Sequence, residues 1–324
     1  MKPVGRKNGW FEWLVASMNS AIGTISAVNR ADAKRARLKA GLRATTPVVT
    51  VGAHDAMTAK LIEQYGFDAV WVSGLGVSAM AYAVPDLNLL TMTESLDAAV
   101  RIDGATELPV VADCDNGFGG LSNVVRTLVE YERAGISGIS IEDNLFPKRN
   151  SLYLGAAKRE LIPLAEQARR LRAAKNAQRS EDFVLIARIE SLIAGHGVED
   201  ACARADAYVD AGADAILIHS KDKTLSDIEG FLASWQGVGQ VPLVAVPTLY
   251  PTFTAEALGE KGFNMVILAN QPMRAAVKAI EDTLGVLAAE RRASPVDPVI
   301  APVNHIFDLV GTKEAIALED EVRG

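Results

Sequence analysis

Apolar positions along the chain gather into eight short runs, each closed by a polar residue. They are "PVVTVGAH" (47–54), "DAVWVS" (68–73), "PVVADCD" (109–115), "GISIED" (138–143), "VLIARIE" (184–190), "DAILIHS" (214–220), "PLVAVPT" (242–248) and "NMVILAN" (264–270). Runs that are continuously apolar, rather than alternating, predict strands buried on both faces, as in a parallel sheet covered by helices. Between them the apolar residues recur every three or four positions, as in "TESLDAAVRIDGA", "LSNVVRTLVEYERAG", "LAEQARRLRAAKNAQ", "VEDACARADAYVDAG" and "RAAVKAIEDTLGVLAAERR". That spacing predicts amphipathic helices. Several end in Gly just before the next run, a helix stop. The alternation predicts an α/β fold. Eight strands in one series predict a closed (β/α)8 TIM-type barrel rather than an open doubly wound sheet. No G-x-G-x-x-G follows the first run and no G-x-x-x-x-G-K-[ST] occurs, so a nucleotide fold has no specific support.

The pattern divides the chain into an N-terminal helical arm (1–45), a barrel (46–292), and a linker with a C-terminal helix (293–324). The linker is the Pro-rich "ASPVDPVIAPV", and the last helix is expected near 303–320. Such a helix packs either on its own barrel or on a partner subunit; composition leaves both open. Charge sharpens the arm. It holds Lys2, Arg6, Lys7, Arg30, Lys34, Arg35, Arg37, Lys39 and Arg43 against Glu12 and Asp32, whereas the whole chain carries −7. That overall balance argues against a general nucleic-acid binder. The opening "MKPVGRKNGWFEWLVASMNSAIG" has its short apolar run interrupted by Glu12, so it reads as an amphipathic arm rather than a targeting segment. A 324-residue chain with 49% hydrophobic and 23% charged residues has material for a large globular core. No apolar run reaches bilayer length. Cys114 and Cys202 offer no disulfide framework and no metal-ligand spacing, consistent with a reducing cytoplasm.

In such a barrel chemistry sits at the C-terminal ends of the strands. There the runs place His54, Ser73, Asp113 with Asp115, Glu142 with Asp143, Arg188 with Glu190, His219 with Ser220, Thr248, and Asn270. A ring of so many ionisable groups around one mouth points to an enzyme. Strand periodicity puts Asp113 and Asp115 on one face and Cys114 on the other, so the thiol reads as packed rather than nucleophilic. With Glu142 on the adjacent strand, these carboxylates repel unless protonated or bound to a cation. Hard oxygen donors suit Mg²⁺ or Mn²⁺; a salt bridge to Arg188 is the alternative. Arg188 offers a planar fork for a carboxylate or phosphonate, and His219 a donor beside it. Gly74, between Ser73 and Leu75, lets backbone amides approach an anionic oxygen. "GFGG" (117–120) reads as a turn.

The segments "WVSGLGVSA", "ADCDNGFGG", "SIEDNLFPKRNS", "IARIESLIAG", "ADAILIHSK" and "VILANQPMRAAV" together resemble the phosphoenolpyruvate mutase / isocitrate lyase superfamily. Within it they look most like phosphoenolpyruvate mutase and phosphonopyruvate hydrolase. The resemblance runs in order from about residue 45 to 312. It implies a Mg²⁺-dependent enzyme that works as a homo-oligomer, a dimer of dimers exchanging its last helix, on a small phosphonate or phosphate keto acid. It implies Asp113 as direct metal ligand, with Asp115 and Glu142 holding metal-bound waters. Ser73, Gly74 and Leu75 match the segment that binds the carboxylate and keto end of the substrate, and Ser151 joins that set. Arg188 and His219 match residues that grip the substrate, Asp86 an acid near the transferring group, and Lys148 and Asn150 the gating loop. Leu145, Phe146 and Pro147 would be hydrophobic lid surface, or else ordinary core.

The reaction implied is phosphoenolpyruvate ⇌ phosphonopyruvate under a lid that excludes water. The hydrolase carries Thr where this chain has Asn150, which favours the mutase. Against it, the mutase signature E-D-K-x5-N-S here reads E-D-N-x5-N-S, with Asn144 replacing a cation. Lyases with a catalytic thiol carry K-x-C-G-H in the loop; Lys148-Arg149-Asn150-Ser151-Leu152 has neither thiol nor His. A thiol-free oxaloacetate hydrolase stays open. A catalytically inert barrel is disfavoured by the intact ionisable set.

Overall fold

A computed structural model of the protein describes residues 20–153 and 159–323. The part of the expected arm at 1–19 lies outside the described residues. Eight strands, β1 (Val48–Ala53), β2 (Ala69–Val72), β3 (Val110–Asp113), β4 (Gly138–Glu142), β5 (Val184–Ile189), β6 (Ala215–Ile218), β7 (Leu243–Ala245) and β8 (Met265–Leu268), form one closed barrel in chain order. Every neighbouring pair is parallel, and β1 closes on β8 with Val49 opposite Val266. The closure is tight. A Cβ on Gly52 would lie 2.0 Å from the Ala269 carbonyl oxygen, so only glycine fits there.

The strands explain the mouth. Trp71, Val111, Val184, Ile186, Leu217, Val244, Met265 and Ile267 form one buried cluster inside the barrel. Val70, Val110, Ala112, Ile139, Leu185, Ala187 and Ile216 pack outward against helix residues such as Ile102, Leu128, Leu171, Tyr208 and Phe231. Side chains alternate along a strand. One step beyond the inner apolar layer therefore comes Ser73 after Trp71, Asp113 after Val111, Arg188 after Ile186 and His219 after Leu217.

The opposite end is closed by the helix Ser20–Gly41. Leu38 and Leu42 join the inner cluster. Arg30 Nη1 donates to Asp103 Oδ2 at 3.0 Å and its Nε to Glu107 Oε1 at 2.9 Å. Lys34 also pairs with Asp103, and Arg35 Nε donates to the Ile136 carbonyl at 3.1 Å. These acceptors precede β3 and β4, so much of the arm's basic charge is answered by the floor of the barrel.

At the C-terminus the single helix expected at 303–320 is two, Val303–Val310 and Thr312–Arg323, parted at Gly311 with φ +75°. Leu309 and Val296 are buried. Val303, Ile306, Phe307 and Val310 are exposed, as are Val277, Ile280 and Leu284 on the helix Gln271–Glu290.

Candidate active site

A cavity at the C-terminal mouth is lined by Ser73, Leu75, Asp86, Asp113, Glu142, Lys148, Asn150, Ser151, Arg188 and His219, over Trp71 and Val246. Of the twelve residues that the family resemblance assigns to the site, these ten line it, as do Thr248 and Asn270 of the strand-end ring; Gly74 and Asp115 lie directly beside it. A Cβ on Gly74 would sit 3.3 Å from Asp113 Oδ2 and 3.5 Å from Asp115 Oδ1. The helix Gly74–Tyr82 thus starts against both carboxylates. Its cap is Ser73, whose hydroxyl accepts the Gly76 amide at 3.1 Å. The first amides of a helix lack intrahelical acceptors, so Gly74 and Leu75 present N–H groups at the mouth.

Asp113 and Asp115 do converge, but not by strand periodicity. β3 stops at Asp113, and Asp115 takes φ +49° in the turn that follows. Its amide donates back to Asp113 Oδ1 at 3.2 Å. Cys114 is fully buried, and burial, with Asp113 and Asp115 adding to it, pushes its thiol well above the ordinary range. It is not a nucleophile.

Three carboxyls in this corner respond to burial differently. Burial pushes Glu142 up to about 8, opposed by Arg188 and Lys148 and reinforced by Glu190 and Asp113. Burial likewise pushes Asp115 up to about 6, opposed by Lys148. Burial also disfavours the Glu190 carboxylate, but Arg188 and then His219 overcome it and hold that group well below the usual range. Glu142 Oε1 is buried with no hydrogen-bond partner. Among the described residues, no group of three or more His, Cys, Asp or Glu side chains is arranged to hold a metal unaided. An all-oxygen set with retained water suits a hard divalent cation.

Arg188 is not a free fork. Its Nε donates to Glu190 Oε1 at 2.5 Å and its Nη2 to the Ser151 hydroxyl at 2.9 Å, with His219 Nδ1 at 3.1 Å. Glu142 and Asp113 lie farther off, at 3.5 and 3.8 Å. Glu190 also accepts Ser151 Oγ at 2.8 Å and lies 3.0 Å from His219 Nδ1. Glu190 therefore orients three of the expected substrate residues, a role that its position at a strand end only hinted at.

The segment after β4 folds over the mouth. Lys148 is 4% exposed; its ammonium pairs with Asp86 Oδ1 at 2.7 Å and with Asp115. These two carboxylates outweigh burial and raise its pKa well above the ordinary value. Asn150 Nδ2 donates to Asp86 Oδ2 at 2.6 Å. Leu145 and Phe146 are exposed and line a hollow on the outer side of this segment. They are exposed rather than core, and are not among the residues that line the cavity. Asn144 also lines that outer hollow rather than the mouth, and forms an antiparallel bridge with Leu161. Asn144 is 2% exposed and its Nδ2 has no hydrogen-bond partner. Asp143, next to Glu142, turns away to Arg204 and Tyr208. Sequence reading passed over Asn88, Asn116 and Arg149. Asn88, two residues after Asp86 in "PDLN", had only that proximity as a signal.

Residues 38–288 match the family model for phosphoenolpyruvate phosphomutase. The chain is 40% identical over 262 residues to a phosphoenolpyruvate phosphomutase of Tetrahymena pyriformis, covering 81% of this chain and 86% of that one. It is also 40% identical over 287 residues to a phosphonopyruvate hydrolase of Variovorax sp. (strain Pal2), covering 88% and 98%. Among solved structures, a phosphonopyruvate hydrolase complexed with oxalate and Mg²⁺ superposes with a TM-score of 0.82 at 39% identity, over 89% of this chain and 98% of that one.

Proposed function

We propose, since the chain belongs to the phosphoenolpyruvate phosphomutase family, that it interconverts phosphoenolpyruvate and phosphonopyruvate. The observation that carries this reading is Asn150. A neutral amide, docked on Asp86 beside the buried Lys148 ammonium, lines the mouth at the position where the resemblance implies Thr in the hydrolase and Cys in a thiol lyase. Asp113 would hold Mg²⁺ directly, with Asp115 and Glu142 acting through water. The orphaned Glu142 oxygen and the Mg²⁺ complex of a relative support that choice; Mn²⁺ has the same preference for oxygen. When bound, the cation supplies positive charge against the negative charge that develops on the pyruvate oxygens.

The protein's own part is positioning and charge. The amides of Gly74 and Leu75, at a helix N-terminus, suit the carboxylate end. Arg188, held by Glu190, grips the substrate with His219 and Ser151. Starting from phosphonopyruvate, the C–P bond breaks, leaving its electrons in the enolate, and the enolate oxygen then captures the phosphoryl group. Such transfer is loose, with charge spread over the phosphoryl oxygens. Lys148 meets that charge. An Asn NH₂ carries two hydrogens; one goes to Asp86 and the second is left for the phosphoryl group. The lid keeps out water that would turn transfer into hydrolysis.

Phosphorus NMR of the enzyme with Mg²⁺ and phosphonopyruvate should show phosphoenolpyruvate growing in. Inorganic phosphate with pyruvate instead would assign the chain to phosphonopyruvate hydrolysis. Asn150→Ala should lower kcat about 10²- to 10³-fold, the usual effect of removing one transition-state donor, with Mg²⁺ affinity by calorimetry unchanged. Wild-type turnover in that variant would remove Asn150 from the mechanism.

We also propose that the chain is a cytoplasmic homo-oligomer, a dimer of dimers in which residues 293–324 pack on a partner. Its two thiols are free, and among the described residues no helix is long and apolar enough to cross a membrane. Ile280 and Leu284 on the helix Gln271–Glu290, and Ile306 and Phe307 on the helix Val303–Val310, are exposed apolar side chains that a partner subunit would cover. Sedimentation at micromolar concentration should give a tetramer; a 34.5 kDa species would sink this assignment.

A further inference from the structure

We infer that Asn88 is a positioning residue that couples closure of the lid to the orientation of Asp115. Asn88 lies between the helices Gly74–Tyr82 and Met92–Gly104, in the loop that also carries Asp86. Its backbone has φ +59°, a conformation that Asn tolerates better than most residues. Its side chain does two things at once. Oδ1 accepts the backbone N–H of Lys148 at 2.6 Å, and Nδ2 donates to Asp115 Oδ2 at 3.0 Å. The other oxygen of Asp115 holds the Lys148 ammonium. A ring therefore closes from the Lys148 amide, through the Asn88 side chain, to Asp115 and back to the Lys148 side chain. Asn116 braces it, donating from Nδ2 to the Asn144 carbonyl at 3.3 Å and lying 3.4 Å from Asn88.

The consequence is directional. When the lid lifts, Asn88 Oδ1 loses the Lys148 N–H that it accepts and Asp115 loses its ammonium in the same movement. When it closes, Asp115 is turned by two donors, one on Asn88 and one on Lys148. The lid and a carboxylate of the proposed metal site thus share one equilibrium. This inference rests on the reaction proposed above only for its kinetic consequence; the latch itself is a matter of geometry.

Two variants separate backbone from side chain. Asn88→Gly keeps the left-handed conformation at no steric cost and removes only the amide. Asn88→Asp keeps an acceptor for Lys148 but replaces the donor to Asp115 with a like charge. Arg149, exposed in the lid, is the tryptic site to follow. With Mg²⁺ present, trypsin should cut Asn88→Gly after Arg149 about tenfold faster than wild type, the factor set by one lost hydrogen bond. Its thermal midpoint should fall by no more than a few degrees, the loss expected from that same bond. By phosphorus NMR its kcat should fall more than its KM rises, with a larger share of phosphonopyruvate ending as inorganic phosphate. Asn88→Asp should be slower still. Wild-type cleavage and product partition in Asn88→Gly would overturn the latch, and wild-type kcat in Asn88→Asp would overturn the coupling to Asp115. Because cleavage needs no substrate, the latch is tested even if phosphonopyruvate is not turned over.

Discussion

Asp113→Ala abolishes the Mg²⁺ dependence of turnover and lowers kcat/KM by about 10³-fold or more. A Lewis-acidic cation supplies several kcal/mol to such a transition state, and each 1.36 kcal/mol is a factor of ten. Asp113 is the residue to remove because the family resemblance makes it the direct ligand and it lines the mouth. It continues the inward parity of β3, meets the start of the helix Gly74–Tyr82, and accepts the Asp115 amide. Its charge also adds to the burial that disfavours ionisation of Asp115 and Glu142. Deleting it should therefore leave the metal-free protein at least as resistant to heat as wild type. The thermal shift on adding Mg²⁺, which measures linkage to the folded state, should vanish. The pairing of lost metal response with preserved stability is what distinguishes a ligand from a structural acid. Retained Mg²⁺-dependent activity would show that another group holds the cation.

Arg204→Ala should lower stability by about 3–5 kcal/mol, the usual effect of leaving one partner of a buried ion pair uncompensated. Arg204 Nη1 donates to Asp143 Oδ2 at 3.1 Å and to the Ile162 carbonyl at 3.0 Å, and its Nε to Asp200 at 2.8 Å. Asp143 is fully buried; burial pushes its carboxyl up to about 6, and Arg204 is the main opposing influence. The same carboxyl accepts the Glu190 amide at 2.9 Å. One pillar therefore joins the helix Gly197–Asp210 to the ends of β4 and β5, and activity should fall with stability, since Glu190 carries Arg188 and His219. Tyr208→Phe, which removes one further bond to Asp143, should cost about 1–2 kcal/mol. Denaturation at fixed protein concentration reads both. A change under about 1 kcal/mol for Arg204→Ala would mean the pair is replaced by water.

Much of the barrel was legible because parallel strands are buried on both faces and leave continuous apolar runs, while helices leave a different period. The inward residues Ser73, Asp113, Arg188 and His219 were legible for the same reason: each sits two positions past an inner apolar residue. Lys148 and Asn150 were legible only through the family resemblance, as residues of its gating loop. The departure at Asn144 could be seen at once, but its meaning could not. Only the folded chain shows Asn144 buried, bridged to Leu161, with its Nδ2 left without a partner.

Sequence by itself determined the eight-strand series, the ring of ionisable groups at one end and the family resemblance, since all three depend on short-range order along the chain. Tertiary structure alone decided which of those groups act together. Glu142 and Asp143 are neighbours, yet one enters the mouth and the other holds a helix. The basic arm reads as a separate charge block, yet Arg30 and Lys34 are answered by Asp103 on the floor of the barrel. Asn88 gains its place from Lys148, sixty residues away, and Asp115, twenty-seven away. Such pairings depend on where loops from different strands meet in space, and no local periodicity encodes that.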